Sequence, residues 1–539
     1  MSKTLTPEEI DIPLTRSRFY RFFEFLPGFC SLSAVLLMPV LSLLEPVWGA
    51  IYVLFVISLV FVRGLAVLAN SWLGYRALKL SSLVDWHQRL LDLESGHMFH
   101  YDKGEYDFAR HAANVATVAQ NRARFTSPND LYHLIIIAAY NETLDVLEPT
   151  IKSLADSSSD IKKFIICLAY EERGGPEMER VALTLERRFK NTFYDFMIVK
   201  HPSGRPNEVI GKGGNITFAG RVMSQCLKQQ KINSKHVIVT TLDSDNRPHH
   251  LYFDNVAYEF IVNQNRFHLS FQPVALFLNN IWDTTAPVRV SSAGDSIWNT
   301  VLTVRSHKLR NFASHSQPMW SLEQMDFWST RTVVEDGHQY WRSYFFFCGN
   351  YDVVSIRLPI YQDAVLSSSY RRTLTDRFVQ VRRWAYGVSD IPYTANMLRQ
   401  NWQRLPLAES IFKFFDLFDG HIAWAATTIM VLLGGWIPAV FSQGDNMIVH
   451  QLPATISTIQ TIAMLGIIST VFLFFRFLPM RPKRYNRFKM IIMWLQWLTF
   501  PITTVVYGSL AAFYAQIRLM TGRYLTKFDV TNKNFVVKD

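Results

Sequence analysis

Two aspartates one residue apart, Asp243 and Asp245, close an apolar run in the stretch HVIVTTLDSDNRPHH. Residues 237–242 are all apolar or β-branched, which reads as a strand covered on both faces. In open α/β sheets, ligands bind beyond the carboxyl ends of the strands. Two carboxylates held so close repel each other unless a cation sits between them. Hard divalent ions such as Mg²⁺ take a few carboxylates plus substrate phosphate oxygens. The stretch therefore reads as a metal–diphosphate site. At ordinary aspartate frequency about one D-x-D arises by chance in a chain this long, so the other chemistry-bearing residues have to be weighed with it.

Three such groups stand out. TRTVVEDGHQYWR carries Glu335-Asp336 after a short apolar run. FVQVRRWAYG carries Gln380, Arg383 and Trp384, which share one face if the segment is a helix. That face offers an amide, a guanidinium fork and a flat ring. Gly211-Lys212-Gly213-Gly214 precedes a helical pattern, where backbone N–H groups and a lysine can approach a phosphate. Each has a plainer reading: a solvated acidic turn, a helix packing its Trp into a core, a flexible loop. No G-x-G-x-x-G follows the first strand and no G-x-x-x-x-G-K-[ST] occurs.

The elements that would position these groups alternate. LIIIAAY, KFIICLAY, FMIVK and the run 237–242 read as strands. Helical patterns follow at 143–155, at EMERVALTLERRF and at 215–229. Strand–helix alternation of this period predicts an α/β, Rossmann-like, mostly parallel sheet over about 131–400. Asp243 and Asp245 then lie where such a sheet binds ligands.

The flanks are different in kind. The chain is 49% hydrophobic, with 40 Phe, 14 Trp and only 18% charged residues; soluble domains average nearer a quarter charged. The excess sits near the N-terminus and after about 411. Residues 25–44 and 47–62, the second extended past Arg63, predict a transmembrane hairpin over 25–74 behind an N-terminal tail, 1–24. Residues 422–441 and 455–475 are two further candidate spans within a membrane region, 421–518. The stretch ESIFKFFDLFDGH predicts an interfacial amphipathic helix over 407–420. Residues 75–130 read as an amphipathic helical linker whose His87, His97, His100 and His111 are expected at the surface. The loop 442–453 has no Lys or Arg, whereas RFLPMRPKRYNRFK has six. The positive-inside rule puts the latter in the cytoplasm, together with the segment 75–420, the N-terminal tail and the tail 519–539. This predicts an integral protein of the inner or plasma membrane. The apolar stretch 490–517, with Pro501 near its middle, is too long for one untilted span and too short for two. A broken or re-entrant element suits it better than a long tilted span.

The net charge of +11 comes without the basic, aromatic-interleaved module that nucleic-acid binding needs. Juxtamembrane bases near a lipid bilayer and an anionic substrate explain its sign. Cys30, Cys167, Cys226 and Cys348 have no metal-like spacing, and a cytoplasmic setting argues against disulfides.

D-x-D at a strand end, then E-D, then Q-x-x-R-W, then membrane helices: in this order the chain resembles the membrane-bound family 2 glycosyltransferases, among them the cellulose, hyaluronan and chitin synthases. The resemblance covers about 131–400, and Q-x-x-R-W is its most specific part. It implies a GT-A catalytic domain, a nucleotide-diphosphate sugar (in that family usually a UDP-sugar) and Mg²⁺ or Mn²⁺. It implies Asp245 as metal ligand and Asp243 at the ribose or the metal. Tyr140, Asn141 and Glu142 would line the nucleotide pocket, and Lys212 would lie near the donor. Asp336 would be the general base. Gln380, Arg383 and Trp384 would hold the diphosphate and the acceptor end. Where the family has an aspartate pair and a glycine, this chain reads Tyr170-Glu171-Glu172-Arg173; Glu171 or Glu172 would take over contact with the base. The function implied is a metal-dependent, inverting hexosyl transfer to a growing polysaccharide, with export of the chain. Two alternatives remain: transfer of one sugar to a lipid carrier, and a non-catalytic membrane scaffold or sugar sensor with a degenerate site.

Overall fold

The computed structural model describes residues 4–99, 104–442 and 447–527. His100 and the tail beyond 527 lie outside them. The centre of the molecule is an eight-stranded mixed sheet. Its strands are β1 Tyr132–Ala139, β2 Phe164–Glu171, β3 Asp195–His201, β4 Val237–Asp243, β5 Arg247–Pro248, β6 Leu269–Phe277, β7 His315–Pro318 and β8 Asp352–Gln362. Their spatial order is β3-β2-β1-β4-β7-β6-β8-β5. The pairs β1–β2, β1–β4, β2–β3 and β6–β8 are parallel; β4–β7, β6–β7 and β5–β8 are antiparallel.

The parallel half follows from the alternation in the sequence. Each of its first strands is followed by a helix: Leu144–Ala155, Gly175–Phe189 and Lys212–Gln229. β2 is buried at all eight positions, as a continuous apolar run between two helical layers must be. One core layer packs Ile135, Ile137, Ile166 and Leu168 with Leu147 and Leu185. The other packs Leu134, Ile136 and Val239 with Ile216 and Met223. The direction of the chain puts the ends of β1, β2 and β4 along one edge.

Among the described residues, five helices are long and apolar enough to cross a membrane: Arg18–Leu44, Pro46–Ser81, Leu407–Leu433, Val449–Phe477 and Phe488–Met520. The first two make the hairpin, turned at Glu45 with Pro46 at the first helical position, where its missing N–H costs nothing. The second runs on to Ser81 and lies against the sheet domain. A Cβ on Gly74 would sit 2.2 Å from the carbonyl oxygen of Thr300, so only glycine permits that approach. Two expected boundaries differ. Residues 407–420 are not separated from the span that follows: one helix covers Leu407–Leu433, and a short helix, Ile437–Phe441, comes after a turn. The helix into the hairpin begins at Arg18 rather than 25, and the residues ahead of it pack against the sheet domain.

The last apolar element is helical throughout but irregular on both sides of Pro501, with a 3₁₀ turn at Gln496–Thr499 and a π-helical stretch at Thr504–Leu510. Both ends meet the sheet domain. Before it, Arg484 and Tyr485 bond Asp283. After it, Leu525 N–H donates to Tyr386 (3.3 Å) and Lys527 bridges to Ile210. Between them, Gln496 accepts from Arg289 (2.6 Å) and Tyr507 packs on Val381.

In the segment 75–130, helices Trp86–Ser95 and Phe108–Gln120 fold onto the domain. His111 is not at the surface: it is fully buried between Asp92 and Tyr258, 3.0 Å from each. The helix has an apolar face, and the histidine falls on it. His97 is exposed.

Candidate active site

A cleft opens where β1, β2 and β4 end. It is open to solvent, and with that open space counted it spans ≈ 1160 Å³. Most of the chemistry-bearing residues singled out above line it.

The D-x-D turn forms one wall. Asp243 ends β4 and accepts from Lys212 Nζ at 2.6 Å. The loop is held from three sides. Thr150 donates to the Ser244 carbonyl (2.7 Å), Asn279 to the Asp245 carbonyl (3.0 Å), and the Asp363 N–H to Asp245 Oδ2 (3.0 Å). With its amide turned to satisfy both atoms, buried Asn246 donates to Asp245 Oδ1 (3.1 Å) and accepts from the Asp243 N–H (3.2 Å). Neither Asn246 nor Asp363 was singled out from sequence. Asn246 adjoins the motif but had no assigned partner. Asp363 follows β8 and reaches Asp245 only through tertiary structure.

Lys212 begins the helix Lys212–Gln229 and also donates to the Ala313 carbonyl (2.7 Å). Burial pulls its ammonium down, but Asp243, Glu335 and Asp336 outweigh burial and leave it above the ordinary lysine value. Gly213 makes this possible. A Cβ there would meet Ser329 O at 2.7 Å and Glu335 Cβ at 3.1 Å. Any larger residue would push Lys212 away from the acidic pair.

Glu335 and Asp336 open the helix Glu335–Phe346, in its first turn, where the dipole favours carboxylates. Asp336 Oδ1 accepts from the Gly337 N–H (2.7 Å). Glu335 is buried and Asp336 is half-exposed toward the cleft. Burial and the Asp336 charge push the Glu335 carboxyl up to about 8, against the pull of Lys212. Burial also raises Asp336, opposed by Lys212, Gly337 and Arg383.

Gln380, Arg383 and Trp384 all face the cleft from the helix Tyr370–Ala385. Arg377, one turn earlier and buried, positions Gln380 and Trp384. It donates to Gln380 Oε1 (2.6 Å), lies 5.1 Å from the Trp384 ring and is itself anchored on Asp295 and Ser291. Its i, i+3 spacing from Gln380 was visible in the sequence, but its burial was not.

At the other end of the cleft, Glu142 turns back to accept from the Tyr140 N–H (2.7 Å), and Arg173 lies over the Tyr140 ring at 4.8 Å. Tyr140, Glu142 and Glu171 line the cleft. Two residues of the expected set do not. Asn141 is exposed outside it, and Glu172 points away to accept from the Ser203 N–H and hydroxyl (2.9 and 3.0 Å). Strand alternation explains the difference: Glu171 ends β2 and pairs with Arg173, whereas Glu172 starts the turn beyond it.

Among the described residues no group of three or more His, Cys, Asp or Glu side chains forms a ready metal cage. The donor set still suits a hard cation. Asp243 and Asp245 present carboxylate oxygens at the cleft, and Mg²⁺-type sites need only one or two carboxylates beside water and substrate phosphate.

No protein-family model matches the chain, and no curated protein sequence does. The solved structures that resemble it at a low level include these three. A mannosyltransferase from Pyrobaculum calidifontis, in complex with GDP-Man and Mn²⁺, has 12% identity and a TM-score of 0.39, over 75% of this chain and 97% of that one. S. aureus TarS 1-349, in complex with UDP-GlcNAc, has 10% identity and a TM-score of 0.35, over 73% and 93%. GalNAc-T7 with UDP, GalNAc and Mn²⁺ has 10% identity and a TM-score of 0.29, over 54% of each. Likeness of this degree carries no argument about chemistry, so the functional reading rests on the cleft itself.

Proposed function

We propose that the chain is a membrane-anchored GT-A glycosyltransferase that moves a sugar from a nucleotide-diphosphate sugar to an acceptor hydroxyl, with inversion, and so extends a polysaccharide. The observation that carries the reading is the convergence of the D-x-D turn, the E-D pair and the Q-x-x-R-W face on one cleft at the carboxyl edge of the sheet.

The division of labour follows from position. Tyr140, Glu142 and Glu171 receive the nucleoside. Lys212, Asp243 and Asp245 face the diphosphate, and Arg383 reaches it from the opposite wall. Asp336, the more exposed of the acidic pair, accepts the proton of the attacking hydroxyl. As that oxygen bonds to the anomeric carbon, the carbon–phosphate oxygen bond breaks and the electron pair leaves with the nucleoside diphosphate. Guanidinium and ammonium groups stabilise the charge that develops there. Asp245, with Asp243, would hold a divalent cation, which would supply further neutralisation of the diphosphate. Trp384, tilted against Phe277 at 5.8 Å, offers a flat apolar surface for the acceptor sugar. Burial first, and then the Asp243 charge, raise the proton affinity of Asp336, which suits it to act as a base.

The experiment is direct. Purified protein is incubated with UDP-glucose, UDP-GlcNAc and GDP-mannose in Mg²⁺ or Mn²⁺, and nucleoside diphosphate release is followed. Release that requires the cation and is abolished by Asp245→Ala supports the reading; absence of release with every donor and acceptor fraction would sink it. Product size separates chain extension from transfer of one sugar to a lipid carrier.

A further inference from the structure

The residues ahead of the first long helix have no role in the chemistry above, yet they are built into the domain. Leu5 and Ile10 are fully buried among Tyr340, Trp341, Tyr344 and Phe345, on the helix that begins with Glu335-Asp336. The Leu5 N–H donates to the Phe346 carbonyl (3.1 Å), and the Tyr393 hydroxyl to the Ile10 carbonyl (2.7 Å). Between these anchors and the first long helix the chain reaches the loop 325–334, which leads into Glu335. Asp11 Oδ1 accepts from the Ser329 hydroxyl (3.0 Å), Asp11 Oδ2 pairs with Arg331 Nε (3.2 Å), and Arg331 Nη1 donates to the Ile12 carbonyl (2.7 Å).

That loop needs holding. Asp326 and Phe327 both have positive φ, 53° and 63°, which non-glycine residues adopt at a cost. Its far end, Val333 and Val334, lines the cleft beside the acidic pair. Its Ser329 carbonyl is the atom against which Gly213 packs, so the same loop sets the distance between Lys212 and Glu335. The remaining tethers come from the domain: Thr217 to the Trp328 carbonyl (3.0 Å), Val209 N–H to Thr330 (2.7 Å) and Arg342 to Phe327 (2.6 Å). Among the described residues, the contacts of Asp11 and Ile12 come from the segment that leads into a membrane-spanning candidate.

We propose that residues 5–12 are a strap that holds the loop 329–334, and through it Glu335 and Asp336, in register with Lys212, and that Asp11 is the positioning residue of that strap. Asp11 touches neither donor nor acceptor. It acts through Ser329 and Arg331, and so bears on the placement of the base and not on the affinity of the nucleotide. The proposal rests on the transfer reading for its catalytic consequence but not for its structural one.

The test uses the full chain. Asp11→Ala removes both contacts. With its side chain 21% exposed, Asp11 sits at the rim, so its loss leaves the apolar anchors Leu5 and Ile10 in place. Backbone hydrogen exchange over 329–337 is expected to rise by about tenfold or more. Turnover of the accepted nucleotide sugar is expected to fall by about 10²-fold, the scale of a misplaced reacting group, while UDP binding in Mn²⁺ is unchanged. Asp11→Asn keeps the acceptor for Ser329 and loses the ion pair, so it should fall between. Arg331→Met loses the same ion pair and the Ile12 contact, so it should lower turnover as well, and the double variant should lose less than the sum of the two single losses. Unchanged exchange, additive losses, or a loss of UDP binding that matches the loss of turnover would each overturn the strap. If the parent protein turns over no donor, the transfer reading fails on its own, and the exchange measurement still decides the strap.

Discussion

Replacing Asp336 by Asn separates the proposed base from everything around it. The amide keeps the size of the carboxylate and keeps an oxygen for the Gly337 N–H, now 2.7 Å away, so the start of the helix Glu335–Phe346 is preserved. What disappears is a negative charge beside Glu335. Burial raises both carboxyls; the Asp336 charge pushes Glu335 further, to about 8, and the Asp243 charge adds to the rise at Asp336. A carboxyl whose folded value lies above its unfolded one destabilises the fold when it is ionised. That cost appears as pH rises past the unfolded value and is complete above the folded one. At pH 7 the parent therefore pays to keep this pair together. Each tenfold change in proton affinity corresponds to about 1.4 kcal/mol, so relieving the crowding should leave the variant as stable as the parent, or more stable by on the order of 1 kcal/mol. Transfer should move the other way and fall by at least about 10²-fold. The assay is three measurements on one preparation: thermal unfolding followed by tryptophan fluorescence, UDP titration in Mn²⁺, and nucleoside diphosphate release. Turnover near the parent rate would place the base elsewhere, with Glu335 the next candidate. A large loss of stability would show that the carboxylate is structural, and the argument from crowding would be wrong. In the parent, turnover should decline as pH falls through the raised Asp336 value, with the limb displaced above the ordinary aspartate range; a limb at the ordinary value would contradict the same argument.

Four further outcomes are expected. Asp245→Ala should abolish metal-dependent UDP binding while unfolding stays cooperative, at a lower temperature because the Asp363 N–H loses its acceptor; retained metal-dependent affinity would remove Asp245 from the cation site. Arg383→Ala should weaken donor binding by roughly 2–5 kcal/mol, the range for truncating one side of a buried charge pair, and titration of the donor reads it directly. Gly213→Ala, whose Cβ would fall 2.7 Å from the Ser329 carbonyl, should lower both the melting temperature and turnover, and an unchanged melting temperature would show that the loop yields. In intact cells an impermeant thiol reagent should reach a cysteine at Glu45 but not one at Arg484 or Arg523; labelling at Arg523 alone among the latter two would mean that Phe488–Met520 crosses the bilayer.

Much of this protein is written in local patterns. The continuous apolar runs of β1, β2 and β4 and the helical patterns between them mark a parallel sheet, because a strand covered on both faces must be apolar along its whole length. The end of β4 at Asp243 is legible for the same reason, since the apolar run stops there. The apolar helices on both flanks are legible from length and composition alone. The second half of the sheet was not. β6, β7 and β8 are assembled from segments of mixed polarity whose partners lie far off in the chain, and β7 has only four residues. Their placement, and not any local signal, brings Asp363 to Asp245. The choice between Glu171 and Glu172 also waits for the fold, because adjacent residues at a strand end point to opposite sides. So does the approach of Lys212 to three carboxylates, which depends on a glycine against a carbonyl of a loop more than a hundred residues away. Sequence determined which side chains exist to do chemistry and on which kind of element each stands. Tertiary structure decided which of them share a cleft, which are buried enough for their charges to act on one another, and that residues 5–12 are part of the domain, since burial and long-range contact are properties of the packed chain and of no segment by itself.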